Sequence, residues 1–229
     1  MAELQRAMIL HRRDYRDTSL IIDVLTEFDG RIHLVAKGAK RKKSTLNHAL
    51  QAFQPLLISW KGKSDLMNLT YAEIIHPNKK LKGQHILWCF YVNELLCHLL
   101  SKHSACPEIF NLYQSFIKKI CDDNINEEDL RYFEYDLLKE LGYGFHLDKD
   151  TEKRQIQAEL FYYFSSEHEL IETKTDLQKK SVYLGQSIID LNNRQLSNEK
   201  SLSDAKLILR HCLKLLLGDK TIKTRELFL

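Results

Sequence analysis

The pattern of apolar residues changes character at His76-Pro77, and that change points to an architecture of strands first and mainly helices after. Before it, Ile, Leu, Val and Thr gather in short runs: Ala7–His11 with Arg6, Leu20–Thr26, Arg31–Lys37, Pro55–Trp60 and Leu66–Ile75. Turn signals such as Phe28-Asp29-Gly30-Arg31 and Lys61-Gly62-Lys63-Ser64-Asp65 separate them. Asp29-Gly30 between two apolar runs predicts a hairpin. Five short strands at this spacing fit a small barrel of the oligonucleotide-binding (OB) type, whose open face and loops take up single strands. A sandwich or an SH3-like barrel satisfies the same pattern.

Beyond Pro77 the period becomes helical. Trp88–Leu100 is apolar almost all round, as a buried helix is, interrupted by Asn93 and Glu94. A buried carboxylate needs a partner, so Glu94 is expected to tie its helix to a basic group. Glu108–Ile120 predicts a second helix, with Phe110, Tyr113, Phe116, Ile117 and Ile120 on one side. A third follows Asn126, a suitable N-cap, with Glu127, Glu128 and Asp129 at the positive end of its dipole and Gly142 as its stop. Residues 145–180 are more polar. Leu160–Phe164, the break Ser165–His168 and Glu169–Ile171 predict a small hairpin, followed by helices at 183–191 and from Ser203 to Leu217. The expected class is therefore α+β: a barrel domain over 1–78, then a mainly helical domain over 79–229 carrying a β-hairpin insert at about 145–180.

Charge is distributed as unevenly as structure. Residues 1–80 carry 14 Lys/Arg against 8 Asp/Glu, whereas 81–229 carry 20 against 23. Between Asp29 and Asp65 there are eight basic residues and no acidic one, the footprint of a polyanion-binding surface. Its densest part, Val35-Ala-Lys-Gly-Ala-Lys-Arg-Lys-Lys-Ser-Thr45, follows a predicted strand. There Lys37, Lys40, Arg41, Lys42 and Lys43 fall within seven positions and can neutralise several phosphates, releasing their counterions. Arg31 joins them as an expected phosphate contact. Gly38 and Ser44 invite comparison with a phosphate-binding Walker loop, but the second glycine is missing and no helix with a phosphate-facing N-terminus is expected. Of the aromatics in this half, Tyr15, Phe28, Phe53, Trp60 and Tyr71, one or two are expected to stack on bases and the rest to be core.

Other chemistries find little support. The five cysteines form no C-x-x-C pair and read as reduced thiols. No His/Cys spacing suits zinc, His98 and His103 being five apart. No triad or two-metal carboxylate cluster stands out, so neither enzymatic activity nor a cofactor is expected. No apolar run approaches the length of a membrane span and the N-terminus does not read as a signal peptide, so a cytoplasmic, nucleoid-associated protein is expected.

Gln5-Arg-Ala, Ile9-Leu-His11, Thr18-Ser-Leu20, Asp23-Val24, Gly30-Arg31, Leu34–Ala39, Ser44-Thr-Leu46, Ala49-Leu-Gln51 and Pro55-Leu-Leu57 resemble the N-terminal region of the RecO family. The resemblance continues in Tyr91–Leu96, in Leu130-Arg131 with Phe133-Glu134, in Leu141-Gly-Tyr-Gly144, in Leu191-Asn192 with Arg194, and in Lys220–Phe228. It is collinear over nearly the whole chain. It implies an OB barrel followed by a helical domain, and a non-enzymatic role in RecF-pathway repair. That role comprises binding single- and double-stranded DNA, annealing complementary strands coated by single-stranded DNA-binding protein (SSB), and helping to load RecA together with RecR. It also implies capture of the acidic, Phe-ended SSB tail by the helical domain. Arg131, flanked by Tyr132 and Phe133, occupies the matching position and is expected to receive the terminal carboxylate. Lys220, Lys223 and Arg225 are a candidate second DNA surface, with a helix-terminal cation cluster as the alternative. Some members carry a Cys₄ zinc module in the C-terminal part; residues 145–180 here hold no cysteine, so packing is expected to support the insert. Basic loops do not distinguish DNA from RNA, and an RNA-binding barrel or a pure adaptor remain alternatives.

Overall fold

The computed structural model describes residues 3–79, 81–143, 147–165, 169–174 and 182–228. The alternating apolar residues of the first third pair into five strands: β1 (Gln5–Tyr15), β2 (Ser19–Thr26), β3 (Gly30–Ala36), β4 (Pro55–Lys61) and β5 (Leu66–Ile74), with a short helix α1 (Thr45–Ala49) between β3 and β4. They close into a barrel in the order β1-β2-β3-β5-β4, with β1 pairing β4. All pairs are antiparallel except β3 with β5. Ala7, Ile9, Ile22, Val24, Ile32, Leu34, Leu56 and Ile58 point inward and are buried, each large side chain contributing roughly 1.5–3 kcal/mol. Of the barrels and sandwiches the pattern permits, the closed OB-like one is found.

Two features differ from expectation. β1 runs four residues beyond His11, through polar Arg12–Tyr15, because backbone pairing with Ser19–Ile22 needs no apolar side chains on this strand. The hairpin at Asp29-Gly30 is present, and its glycine is required twice over. Its φ is +65°, and a Cβ there would lie 2.0 Å from the carbonyl oxygen of Ser104.

Contacts divide the chain into two compact units, Met1–Asn124 with Asp219–Leu229, and Ile125–Gly218. In the first, α2 (Gly83–Leu99) and α3 (Pro107–Cys121) join the barrel. Asn93, which interrupts the apolar run of α2, donates from Nδ2 to the Leu10 carbonyl at 2.8 Å, beside a register shift between Ile9 and His11. The buried Tyr113 hydroxyl of α3 donates in turn to Asn93 Oδ1 at 2.5 Å. A polar residue in a buried helix thus satisfies a carbonyl at an irregular point of the strand pairing.

Glu94 is held chiefly by the C-terminal segment, with His98 Nε2 of its own helix 3.8 Å away. Its carboxylate accepts from the Lys223 and Thr224 amides at 2.8 and 2.9 Å and from the Thr224 hydroxyl at 2.7 Å, capping a terminal 3-10 turn over Lys223–Phe228. Burial opposes its charge, but the Thr224 and Lys223 hydrogen bonds, with His98 nearby, hold it below the ordinary carboxylate range.

The second unit contains α4 (Glu127–Glu140), strands β6 (Phe161–Phe164), β7 (Leu170–Thr173) and β8 (Tyr183–Leu184), and helices α5 (Gly185–Asn192) and α6 (Glu199–Leu217). α4 begins as its sequence predicts: Asn126 accepts from the Asp129 amide at 3.1 Å and Asp129 from the Asn126 amide at 3.0 Å, a capping box. α6 starts a turn earlier than expected because Asn198 accepts from the Ser201 amide at 2.8 Å. The predicted hairpin is β6–β7; residues 166–168 of its turn, and Gly144 of the Leu141–Gly144 motif, lie outside the described residues. Packing does not support this region alone. Asp150 accepts the Glu152 and Arg154 amides at 2.9 and 2.8 Å and the Arg154 guanidinium at 2.7 Å, and Arg154 reaches Glu172 of β7 at 3.1 Å.

Candidate nucleic-acid interface

The barrel end at which β1 finishes and β2 begins carries the positive charge. After Ala36 the chain turns through Lys37–Ser44, anchored by buried Ala39 and by the Lys40 amide donating to the Thr18 carbonyl at 2.9 Å. This fixes the backbone and leaves Lys37, Lys40, Arg41, Lys42 and Lys43 exposed. Among the described residues only Lys40 of these five is in an ion pair, to Asp14 at 2.5 Å. The five cations are therefore together and available to solvent.

The polar extension of β1 adds to them. A recess of about 330 Å³ is lined by Arg12, Arg13, Asp14, Leu20, Lys40 and Asn47. Arg12 is partly fixed by donating to the Leu50 carbonyl at 3.1 Å. Sequence reasoning passed over Arg12 and Arg13 because they follow the apolar part of β1. The available signal was the short connection Arg16–Thr18, which returns them to the end where the basic loop begins. A helix does follow Ser44, but α1 has only five residues, and Ser44 makes no side-chain cap. So short a helix adds little dipole, and with the second glycine absent the phosphate-loop comparison goes no further.

The aromatics separate by position. Phe53 is buried, edge-on to Phe90 with centroids 5.1 Å apart, and Trp60 packs against the barrel core. Phe28 is 59% exposed but sits in the β2–β3 turn, at the other end of β3 from the basic loop, roughly 20 Å along the strand. Tyr15 lies at the β1–β2 connection with the Arg16 guanidinium 5.1 Å from its ring centroid. Tyr71 is 43% exposed, and the parallel β3–β5 register, Val35 opposite Asn68, carries it toward the loop end. Tyr15 thus lies beside Arg16 at the β1–β2 connection, and Tyr71 is exposed on β5 with its hydroxyl donating to Glu73.

The outer side of β1–β2–β3 is not an open binding face. Met8, Leu10, Leu25 and Val35 point away from the barrel interior and are buried, and α2 meets these strands through Asn93 and Arg31. Arg31 therefore departs from its expected role as a phosphate contact. Its side chain is only 14% exposed; it pairs with Asp23 at 2.7 Å and donates to the Cys97 carbonyl and, at 3.2 Å, to that of Leu100. Burial opposes the charge, but the hydrogen bond and proximity of Asp23 hold the guanidinium more firmly protonated than usual. Beside it, burial and the Asp23 charge push the Cys97 thiol up to about 12, which makes it a poor nucleophile.

The terminal cations form a separate group held against α2. Lys220 donates to the His98 carbonyl at 3.0 Å, Arg225 lies 5.6 Å from the Tyr91 ring centroid, and Lys223 is exposed at the start of the capped turn. In the second unit, Arg131 is enclosed rather than presented. Its side chain is 5% exposed, Nη1 lies 2.9 Å from Glu134 Oε2, and Nε finds no acceptor among the described residues. Phe133 is buried and the Tyr132 hydroxyl accepts from the Leu196 amide at 3.1 Å. The neighbouring exposed cation is Arg194, half-exposed, 5.4 Å from the Tyr132 ring centroid and paired with Asp136.

Exposed cations of this kind can attract phosphates by charge alone. Among the described residues no three His, Cys, Asp or Glu side chains gather to hold a metal ion, and no helix is long and apolar enough to cross a membrane.

Comparison with known proteins gives this surface a context. The family profile for Recombination protein O N terminal matches residues 1–78 and that for Recombination protein O C terminal matches residues 82–226. A DNA repair protein RecO from Paraburkholderia xenovorans is 38% identical over 98% of this chain and 76% of its own length. Proteins of the same name from Coxiella burnetii and Idiomarina loihiensis are each 39% identical over 98% of this chain and 97% of their own. With both halves matched and relatives aligned nearly end to end, the chain belongs to the RecO family of DNA repair proteins.

Proposed function

We propose that the protein is a non-catalytic recombination mediator that binds single- and double-stranded DNA, anneals complementary strands coated by SSB, and assists RecA loading together with RecR. The observation that carries this reading is the cluster of Lys37, Lys40, Arg41, Lys42 and Lys43, exposed on one loop of an OB-like barrel and joined by Arg12 and Arg13. Two phosphate chains repel; a cation-dense rim offsets that repulsion while leaving base edges free to pair. Tyr71 is the ring we assign to base stacking. Replacing it with Ala should weaken oligonucleotide binding by about 1–3 kcal/mol while Tyr71→Phe keeps most of it, as read by fluorescence anisotropy.

Charge reversal of Lys37, Arg41, Lys42 and Lys43 tests the reading. Their substitution with Glu should abolish annealing of complementary oligonucleotides precoated with the cognate SSB. Unchanged annealing by the folded variant would favour an adaptor, and equal or tighter binding to matched RNA would favour the RNA-binding alternative.

For the acidic SSB tail, the Tyr132 side of α4 is the assigned face. Arg131 is enclosed there with Glu134, so Arg194 is the cation a carboxylate meets first. Arg194→Ala should weaken binding of the tail peptide, whereas Arg131→Ala should chiefly lower the melting temperature.

A further inference from the structure

The basic end of the barrel contains one acid inside its recess. Asp14 has a side chain 73% exposed and holds Lys40 Nζ at 2.5 Å. It lines the recess of about 330 Å³ together with Arg12 and Arg13. The loop cannot swing far to avoid it, because the Lys40 amide is bonded to the Thr18 carbonyl. Asp14 thus sits where a phosphate would profit from Lys40 and from Arg12, two positions along the same face of β1, and neutralises Lys40.

We propose that Asp14 is an internal competitor for DNA phosphate. It occupies Lys40 when the interface is empty and is displaced when a phosphodiester enters the recess between Arg12 and Lys40. The proposal rests on the polyanion-binding reading given above. An exposed ion pair is weak, so a phosphate facing both Lys40 and Arg12, which shares the Asp14 face of β1, wins the exchange. Arg12 is preset for this by its bond to the Leu50 carbonyl, which leaves its other donors to the ligand. The volume suits a single phosphate with its sugar rather than a stacked run of nucleotides. The consequence is a threshold: weak or isolated phosphates leave the pair closed, and a continuous strand opens it.

Binding of a fluorescein-labelled oligothymidylate to the full chain, followed by anisotropy across a salt series, tests this. Asp14→Asn should bind about two- to fivefold tighter than the parent at about 50 mM salt. Its log–log salt slope should steepen by about 0.7, the share of one extra phosphate contact on a single strand. Asp14→Glu should behave as the parent, and the gain should vanish when Lys40→Ala is combined with Asp14→Asn. Parent-like or weaker binding by Asp14→Asn overturns the proposal. So does a gain that survives without Lys40, which would mean a general charge effect. The Lys37, Arg41, Lys42 and Lys43 reversal separates the two levels. If it leaves binding intact, the interface itself is misplaced; if it abolishes binding while Asp14→Asn is neutral, only the competitor role falls.

Discussion

Arg31 joins the barrel to α2: its guanidinium meets the buried Asp23 carboxylate on one side and two carbonyls at the C-terminal end of the helix on the other. Removing it strands Asp23 in a buried site with His33 near it, so Arg31→Ala should destabilise the fold by about 3 kcal/mol in urea titration. Oligonucleotide affinity per folded molecule should stay within about twofold, the opposite of what a phosphate contact gives. Glu94 offers a pH test. Its folded value lies below the ordinary one, so its contribution is complete above about pH 4.3 and is lost as pH falls through the lower folded value. Glu94→Gln should therefore lower stability at neutral pH, by about 1–2 kcal/mol, and flatten the acid limb of the stability curve. Neither role was visible in the residue alone. Asp23, Arg31 and His33 share a barrel face only through the register Leu25 to Arg31 and Asp23 to His33, and the partners of Glu94 lie some 130 positions away.

At the scale of elements, local signals were the dependable ones. The five strands, the Asp29-Gly30 turn and the Asn126 start of α4 follow from alternation, turn chemistry and capping, each a short-range cause. Asn126→Ala should cost about 1 kcal/mol in thermal or urea unfolding, since both halves of the capping box depend on that side chain. What escaped was set by tertiary pairing: the polar half of β1, the five residues of α1, and the Asp150–Arg154–Glu172 link beside the insert. The same limit hid Arg12 and Arg13. They belong to a strand whose only evidence is its partner, yet they stand in the recess beside Lys40.

For the whole molecule, α2 decides which part of the barrel surface is covered. It covers the outer side of β1–β2–β3, while the loop that carries Lys37, Lys40, Arg41, Lys42 and Lys43 stays exposed, as does Tyr71 on β5. Charge asymmetry was legible in the sequence as an acid-free tract. Its concentration on one end of a barrel required the fold. The central claim is that this single end supplies the cations that bring two strands together. Its most direct test is the rate of annealing of SSB-coated complementary oligonucleotides across a salt series, comparing the parent with the Lys37, Arg41, Lys42 and Lys43 to Glu variant. The account predicts a parent rate that falls steeply with salt and a folded variant with no measurable acceleration at any salt. A variant that anneals like the parent, with the same salt slope, would contradict it.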